Sequence, residues 1–109
     1  MNGPETFEFE LRERPGGVDV RLRGELDMAA VFRLEPALDD LAANASSREI
    51  VFDLRELTFI DSSGLGMLVA ADLRLRKAGG ETRFVRGPDQ VMRVFARTAL
   101  DTALPFEPG

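Results

Sequence analysis

Cysteine and histidine are both absent from this chain. Without Cys there is no disulfide, no thiolate metal site and no Cys nucleophile. Without His there is no side chain that titrates near neutral pH, no imidazole metal ligand, no Ser-His-Asp triad and no phosphohistidine carrier. Trp and Tyr are missing as well, so the aromatic residues are all Phe. Long apolar runs are lacking too. The longest uncharged stretch in the helical part, Ser62 to Ala71, falls far short of the roughly 20 residues that span a bilayer. Met1–Asn2–Gly3–Pro4–Glu5 carries neither a basic region nor an apolar stretch, so no signal peptide is expected and the chain is expected to be cytoplasmic.

Positive charge is also in short supply. With 19 acidic against 14 basic residues the net charge is −5, and no basic stripe marks a nucleic-acid surface. An acidic surface suits solubility and a basic protein partner. The 109 residues allow a single domain over 1–109, with residues 1–5 and 107–109 as loose termini.

Periodicity supplies the elements. Phe7, Phe9 and Leu11 alternate with charged residues, and Val18, Val20 and Leu22 do the same after the turn Pro15–Gly16–Gly17. This predicts an antiparallel hairpin whose second strand breaks at Gly24–Glu25–Leu26–Asp27. Val31, Leu34, Leu38, Leu41 and Ala45 form one face of a helix over about 29–45. Pro36 lies within it, so the helix either starts near Glu35 or is kinked at the proline. Ile50–Val51–Phe52–Asp53–Leu54 reads as a short, buried central strand. A second helix is expected over about 62–78, with Leu65, Leu68, Val69 and Leu73 facing the core, Arg74, Arg76 and Lys77 in its last turn and Gly79–Gly80 ending it. Thr82 to Val85 is a further strand. Asp89 to Thr98 is a third helix, with Val91, Val94 and Phe95 inward, and a short edge strand is expected at Ala103 to Phe106. The order β-β-α-β-α-β-α-β predicts a small α/β domain. Its mixed sheet of four to five strands would have the helices packed against it.

Working groups in such sheets gather at the carboxyl ends of the parallel strands. Two segments fit: Gly24–Glu25–Leu26–Asp27, and Asp61–Ser62–Ser63–Gly64–Leu65–Gly66. With Asp61 as the helix N-cap, Ile60 and Leu65 form an apolar staple, and Asp61 accepts from the amide of Ser63 or Gly64. Ser62 then occupies the first helical position with its hydroxyl free. A phosphoryl group there would meet unpaired amides at the positive end of the helix dipole and add roughly −1.5 to −2 charges. Gly64 and Gly66 are expected to keep this turn bare for a close-approaching protein. Taken alone, Asp-Ser-Ser-Gly is also the ordinary chemistry of a helix cap.

Across residues 17–106 the chain resembles a STAS domain, specifically a stand-alone bacterial anti-sigma factor antagonist. The resemblance rests on Gly24 to Asp27 after the second strand and on Asp61–Ser62–Ser63–Gly64–Leu65 after an apolar strand. Gly79–Gly80 adds to it, as does a partial match of Thr98–Ala99–Leu100 to a (Ser/Thr)-Gly-Leu motif. The resemblance implies partner switching. The unphosphorylated antagonist binds an anti-sigma factor that is also a serine kinase, which frees a sigma factor; phosphorylation ends binding and a serine phosphatase restores it. By position the target is Ser62, with Ser63 the second candidate. The partner-binding residues are then Glu25, Asp27, Asp61, Ser62, Ser63, Gly64 and Gly66. No catalysis, metal or cofactor is expected of the chain itself.

Asp27, Asp53 and Asp61 also suggest a carboxylate or phosphoacceptor cluster, but the only Lys is Lys77, on the second helix, which a receiver-type site would not use. A STAS scaffold subunit of a signalling or membrane transport complex, with an unmodified serine, is the rival reading. Weak anion binding at the helix start is a third, without a Gly-rich phosphate loop to support it.

Overall fold

The computed structural model describes residues 7–107. β1 (Glu8–Arg14) and β2 (Gly17–Leu26) form the expected antiparallel hairpin. β2, β3 (Glu49–Ile60) and β4 (Glu81–Val85) run parallel, giving a four-stranded mixed sheet in the order β1-β2-β3-β4. The crossovers are α1 (Met28–Ala43) and α2 (Ser62–Lys77), and α3 (Asp89–Arg97) and α4 (Leu100–Ala103) follow β4.

Alternation divides the sheet into two faces. Val18, Val20, Leu22, Leu26, Ile50, Phe52, Leu54 and Phe84 are buried with Leu34 and Leu38 of α1, Leu65 and Leu68 of α2, and Val91 and Phe95 of α3. The opposite face stays in water and is covered by ion pairs, among them Arg14–Asp19 at 2.9 Å, Arg14–Glu49 at 3.0 Å and Arg55–Asp53 at 2.8 Å. One face packed and one solvated is why the outer residues of β1 and β2 read as charged alternation. Met67 and Met92 are both buried in the core, where a flexible thioether fills irregular gaps.

Several expected boundaries move. β2 does not break at Gly24 but continues to Leu26, and β3 has twelve residues rather than five. Register shifts explain both. Arg21 pairs with Asp53 but Arg23 with Glu56, and Gly24 pairs with Leu57 but Glu25 with Phe59, so β3 carries an extra residue twice. These bulges move the buried phase of β3 from Leu54 to Leu57 and then Ile60, a spacing of three that hides the strand from a period-2 reading.

α1 starts at Met28 and passes through Pro36 in one element, so the start near Glu35 is wrong. Pro36 is exposed, and the carbonyl of Phe32, deprived of its usual amide partner, is left on the solvent side. In α2, Leu73 is 57 % exposed and does not face the core, and Val69 is only half-buried. The buried stripe instead runs through Leu68, Ala71, Asp72 and Leu75. Asp72 is 1 % exposed, accepting from the Thr82 hydroxyl and pairing with Arg76, which satisfies a carboxylate that would otherwise be costly to bury.

The last expected strand is also corrected. Leu100–Ala103 is a short helix, and Phe106 makes only an isolated parallel bridge to Phe84. Phe106 packs edge-on against Phe95, so its apolar side chain serves the core without a ladder. Leu11, on edge strand β1, is 40 % exposed rather than buried, and Val94 is half-buried. Residues 1–5 and 108–109, read as loose, lie outside the described residues. Glu107 is held, its amide donating to the Phe84 carbonyl at 2.9 Å and its carboxylate pairing with Arg83 at 3.4 Å.

Candidate functional site

β2 and β3 end side by side, with Leu26 opposite Ile60 and the Asp61 amide donating to the Leu26 carbonyl at 3.4 Å. Each strand then turns through an aspartate into a helix. Asp27 has extended backbone (φ −110°, ψ −171°) and accepts from the Ala30 amide at 3.0 Å. Asp61 has nearly the same conformation (φ −112°, ψ −175°) and accepts from the Gly64 amide, also at 3.0 Å. The rim is therefore two copies of one strand–cap–helix arrangement. Asp61 caps α2 as the sequence predicts, and the flanking Ile60 and Leu65 are both buried.

The sequence offers Asp27 as a partner-facing acid or a member of a carboxylate cluster, and its cap role is new. Its signal is an aspartate immediately before the first helical residue, which does not stand out while a start near Glu35 is equally open. Glu25 lies one residue before the end of β2, opposite Phe59, and is half-buried. Glu25, Asp27 and Asp61 form no ion pair among the described residues, unlike the acids of the outer sheet face.

Ser62 is the first residue of α2 and is exposed, whereas Ser63 is half-buried. Asp61 has taken over the capping, so the Ser62 hydroxyl has no hydrogen-bond partner in the protein among the described residues. The first-turn amides of any helix lack intrahelical acceptors, and Asp61 satisfies one of them. What remains at Ser62 is a free hydroxyl beside backbone donors at the positive end of a sixteen-residue helix dipole.

The two glycines of this turn differ. Gly66 is exposed, with nothing within 4 Å of where a Cβ would be, so it keeps the surface bare as expected. Gly64 is buried and faces inward: a Cβ there would lie 2.2 Å from the Leu26 carbonyl oxygen and 2.8 Å from the Leu26 Cγ. It does not open the surface to a partner. It lets α2 press onto the end of β2, which is what sets Ser62 at the rim.

Asp53 does not join Asp27 and Asp61. It is held on the outer sheet face by both oxygens to Arg55, at 3.0 and 2.8 Å. Among the described residues no group of three or more acidic side chains is placed to hold a metal ion, and no helix is long and apolar enough to cross a membrane.

A family model described as "STAS domain" matches residues 8–108. The chain belongs to the STAS domain family. Over 101 residues this STAS domain is 29 % identical to the anti-sigma F factor antagonist of Paenibacillus polymyxa, covering 93 % of this chain and 86 % of the relative. It is 25 % identical over 95 residues to the anti-sigma-B factor antagonist of Bacillus subtilis, covering 87 % and 85 %. Among solved structures, an anti-sigma factor antagonist from Mycobacterium paratuberculosis superposes with a TM-score of 0.85 at 28 % identity, over 100 % of this chain and 92 % of that one. The anti-sigma factor antagonist SpoIIAA, in its unphosphorylated form, gives 0.76 at 25 % identity, over 93 % and 89 %.

Proposed function

We propose that this STAS domain is a cytoplasmic anti-sigma factor antagonist that acts by partner switching. The unphosphorylated chain binds an anti-sigma factor that is also a serine kinase, and so releases a sigma factor. Phosphorylation of Ser62 ends that binding, and a serine phosphatase restores it. The chain is a regulator and performs no chemistry of its own. The relatives named as anti-sigma factor antagonists support the general role.

The observation that carries the switch is the division of labour between Asp61 and Ser62. Asp61 holds the first turn of α2, so the adjacent hydroxyl is exposed and has no structural duty. A phosphoryl group can be added without removing a cap. It would face backbone donors on its own helix, which favours the folded state. Toward a partner its effect is opposite, because a dianion buried in an interface built for a neutral hydroxyl must lose its water. Asp27, Asp61 and Glu25 add like charge nearby. A penalty of about 3 kcal/mol is enough to weaken binding more than a hundredfold.

The test is phosphosite mapping after incubation with ATP and each candidate anti-sigma kinase of the same genome. One phosphate on Ser62, lost in Ser62→Ala, is expected. Phosphate on Ser63 alone would retain the function and overturn the assignment. The absence of both phosphorylation and binding with every candidate would move the chain to a scaffold role in a signalling or membrane transport complex.

A further inference from the structure

The two strand–cap–helix units of the rim place equivalent positions side by side. Met28 is the first residue of α1 as Ser62 is of α2, and Phe32 stands four residues on, as Gly66 does. In α2 those positions hold a hydroxyl and a bare backbone. In α1 they hold two large apolar side chains, and neither is in the core: Met28 is 59 % and Phe32 is 69 % exposed. They are one helical turn apart and so share a face. Their exposure has no explanation within the fold.

The same helix changes character beyond Phe32. Glu35 and Asp40 are exposed and make no ion pair among the described residues, while Asp39 is bound to Arg74 at 2.6 Å. On the outer sheet face, by contrast, acids are neutralised by neighbouring arginines: Asp19 and Glu49 by Arg14, and Glu8 and Glu56 by Arg23. Glu35 continues the face of Met28 and Phe32, whereas Asp40 is turned toward the side of exposed Arg33, so that face presents two apolar groups at the Ser62 end and one unpaired carboxylate a turn further along.

We infer that the exposed face of α1 selects the partner: the anti-sigma factor sets an apolar side chain against Met28 and Phe32, and a basic one against Glu35. This rests on the antagonist reading and adds to it the residues that choose among anti-sigma factors. Charge complementarity fixes the basic half of the partner. Aromatic and Met side chains in the middle of an interface commonly carry most of its binding energy, which fixes the apolar half. The layout also explains how one phosphate acts. On α2, Ser62 occupies the position that Met28 holds on α1, so the dianion wets the dry part of the contact rather than the part already built for charge.

The experiment measures the affinity of the unphosphorylated chain for the candidate anti-sigma kinases, comparing wild type with Phe32→Ala, Glu35→Lys and a control, Leu11→Ala, on edge strand β1. Both α1 positions are exposed, and unchanged thermal unfolding establishes that the variants fold. Phe32→Ala is expected to weaken binding at least tenfold. Glu35→Lys is expected to weaken it severalfold and to flatten its salt dependence, with Leu11→Ala unchanged. If the wild type binds a candidate and both α1 variants bind it within twofold, the inference fails while the antagonist reading stands. If the wild type binds no candidate, that reading fails and takes the inference with it.

Discussion

Gly64 sits so close to the Leu26 carbonyl that a Cβ would come within 2.2 Å of its oxygen. Backbone, not a flexible side chain, blocks the space, so Gly64→Ala must push α2 away from β2. The expected loss is about 1–3 kcal/mol, as for overpacking of a core site. Gly66→Ala, two residues on, meets open space within the same helix and is expected to gain up to about 1 kcal/mol. Denaturant unfolding of the pair reads both signs in one experiment, and equal effects would refute this packing.

The twin caps predict a second pair of results. Asp61→Ala and Asp27→Ala should each lower stability by on the order of 1 kcal/mol, with Asn at either position retaining most of it. Ser62→Ala should cost at most a few tenths of a kcal/mol, because the hydroxyl caps nothing. A loss at Ser62 as large as that at Asp61 would show that the serine is structural.

Ala99 follows α3 in the left-handed region, at φ 61° and ψ 17°. A side chain is strained there, and glycine is not. The (Ser/Thr)-Gly-Leu motif that the resemblance implies would put a glycine at this place, and the backbone supplies a physical reason for one. Ala99→Gly is expected to raise stability by about 1 kcal/mol, read from the shift of the unfolding midpoint. A decrease would contradict the conformation.

Two hydrogen bonds from the Arg55 guanidinium, and to a lesser extent one from the Arg55 backbone amide, hold the Asp53 carboxyl below the usual carboxylate range. Its folded-state value is thus lower than its unfolded one. The stability it contributes is complete above the unfolded value, near 3.8, and is lost as pH falls through the folded value. Wild type should therefore lose more stability than Asp53→Asn between about pH 5 and pH 2. Equal slopes of stability against pH would refute the pairing.

Much of this was written in the residues. The hairpin, the parallel core and the capping of α2 by Asp61 follow from alternation, helical spacing and the staple of Ile60 with Leu65. What was hidden has physical causes. Two bulges turned the end of β3 into a spacing of three, and a satisfied buried Asp72 disguised the true inner stripe of α2. Pro36, tolerated on a solvent face, left the start of α1 open between about residue 29 and Glu35, and with it the cap at Asp27. Gly64 was visible as a glycine, but only packing shows that its missing side chain faces Leu26 rather than a partner. Phe32 lies off the face of Val31, Leu34, Leu38 and Leu41, and Met28 beside Asp27 reads as exposed or buried equally well, so only the packing settles that both are exposed.

The most direct test is the ratio of affinities of the Ser62-phosphorylated and unphosphorylated chain for the same anti-sigma factor, measured at one salt concentration with the phosphate stoichiometry confirmed by intact mass. The account predicts binding more than a hundredfold weaker after phosphorylation, with the fold retained by circular dichroism and full affinity recovered on enzymatic dephosphorylation. Affinities within threefold of each other would contradict it, because Ser62 would then lie outside any interface that the phosphate could control.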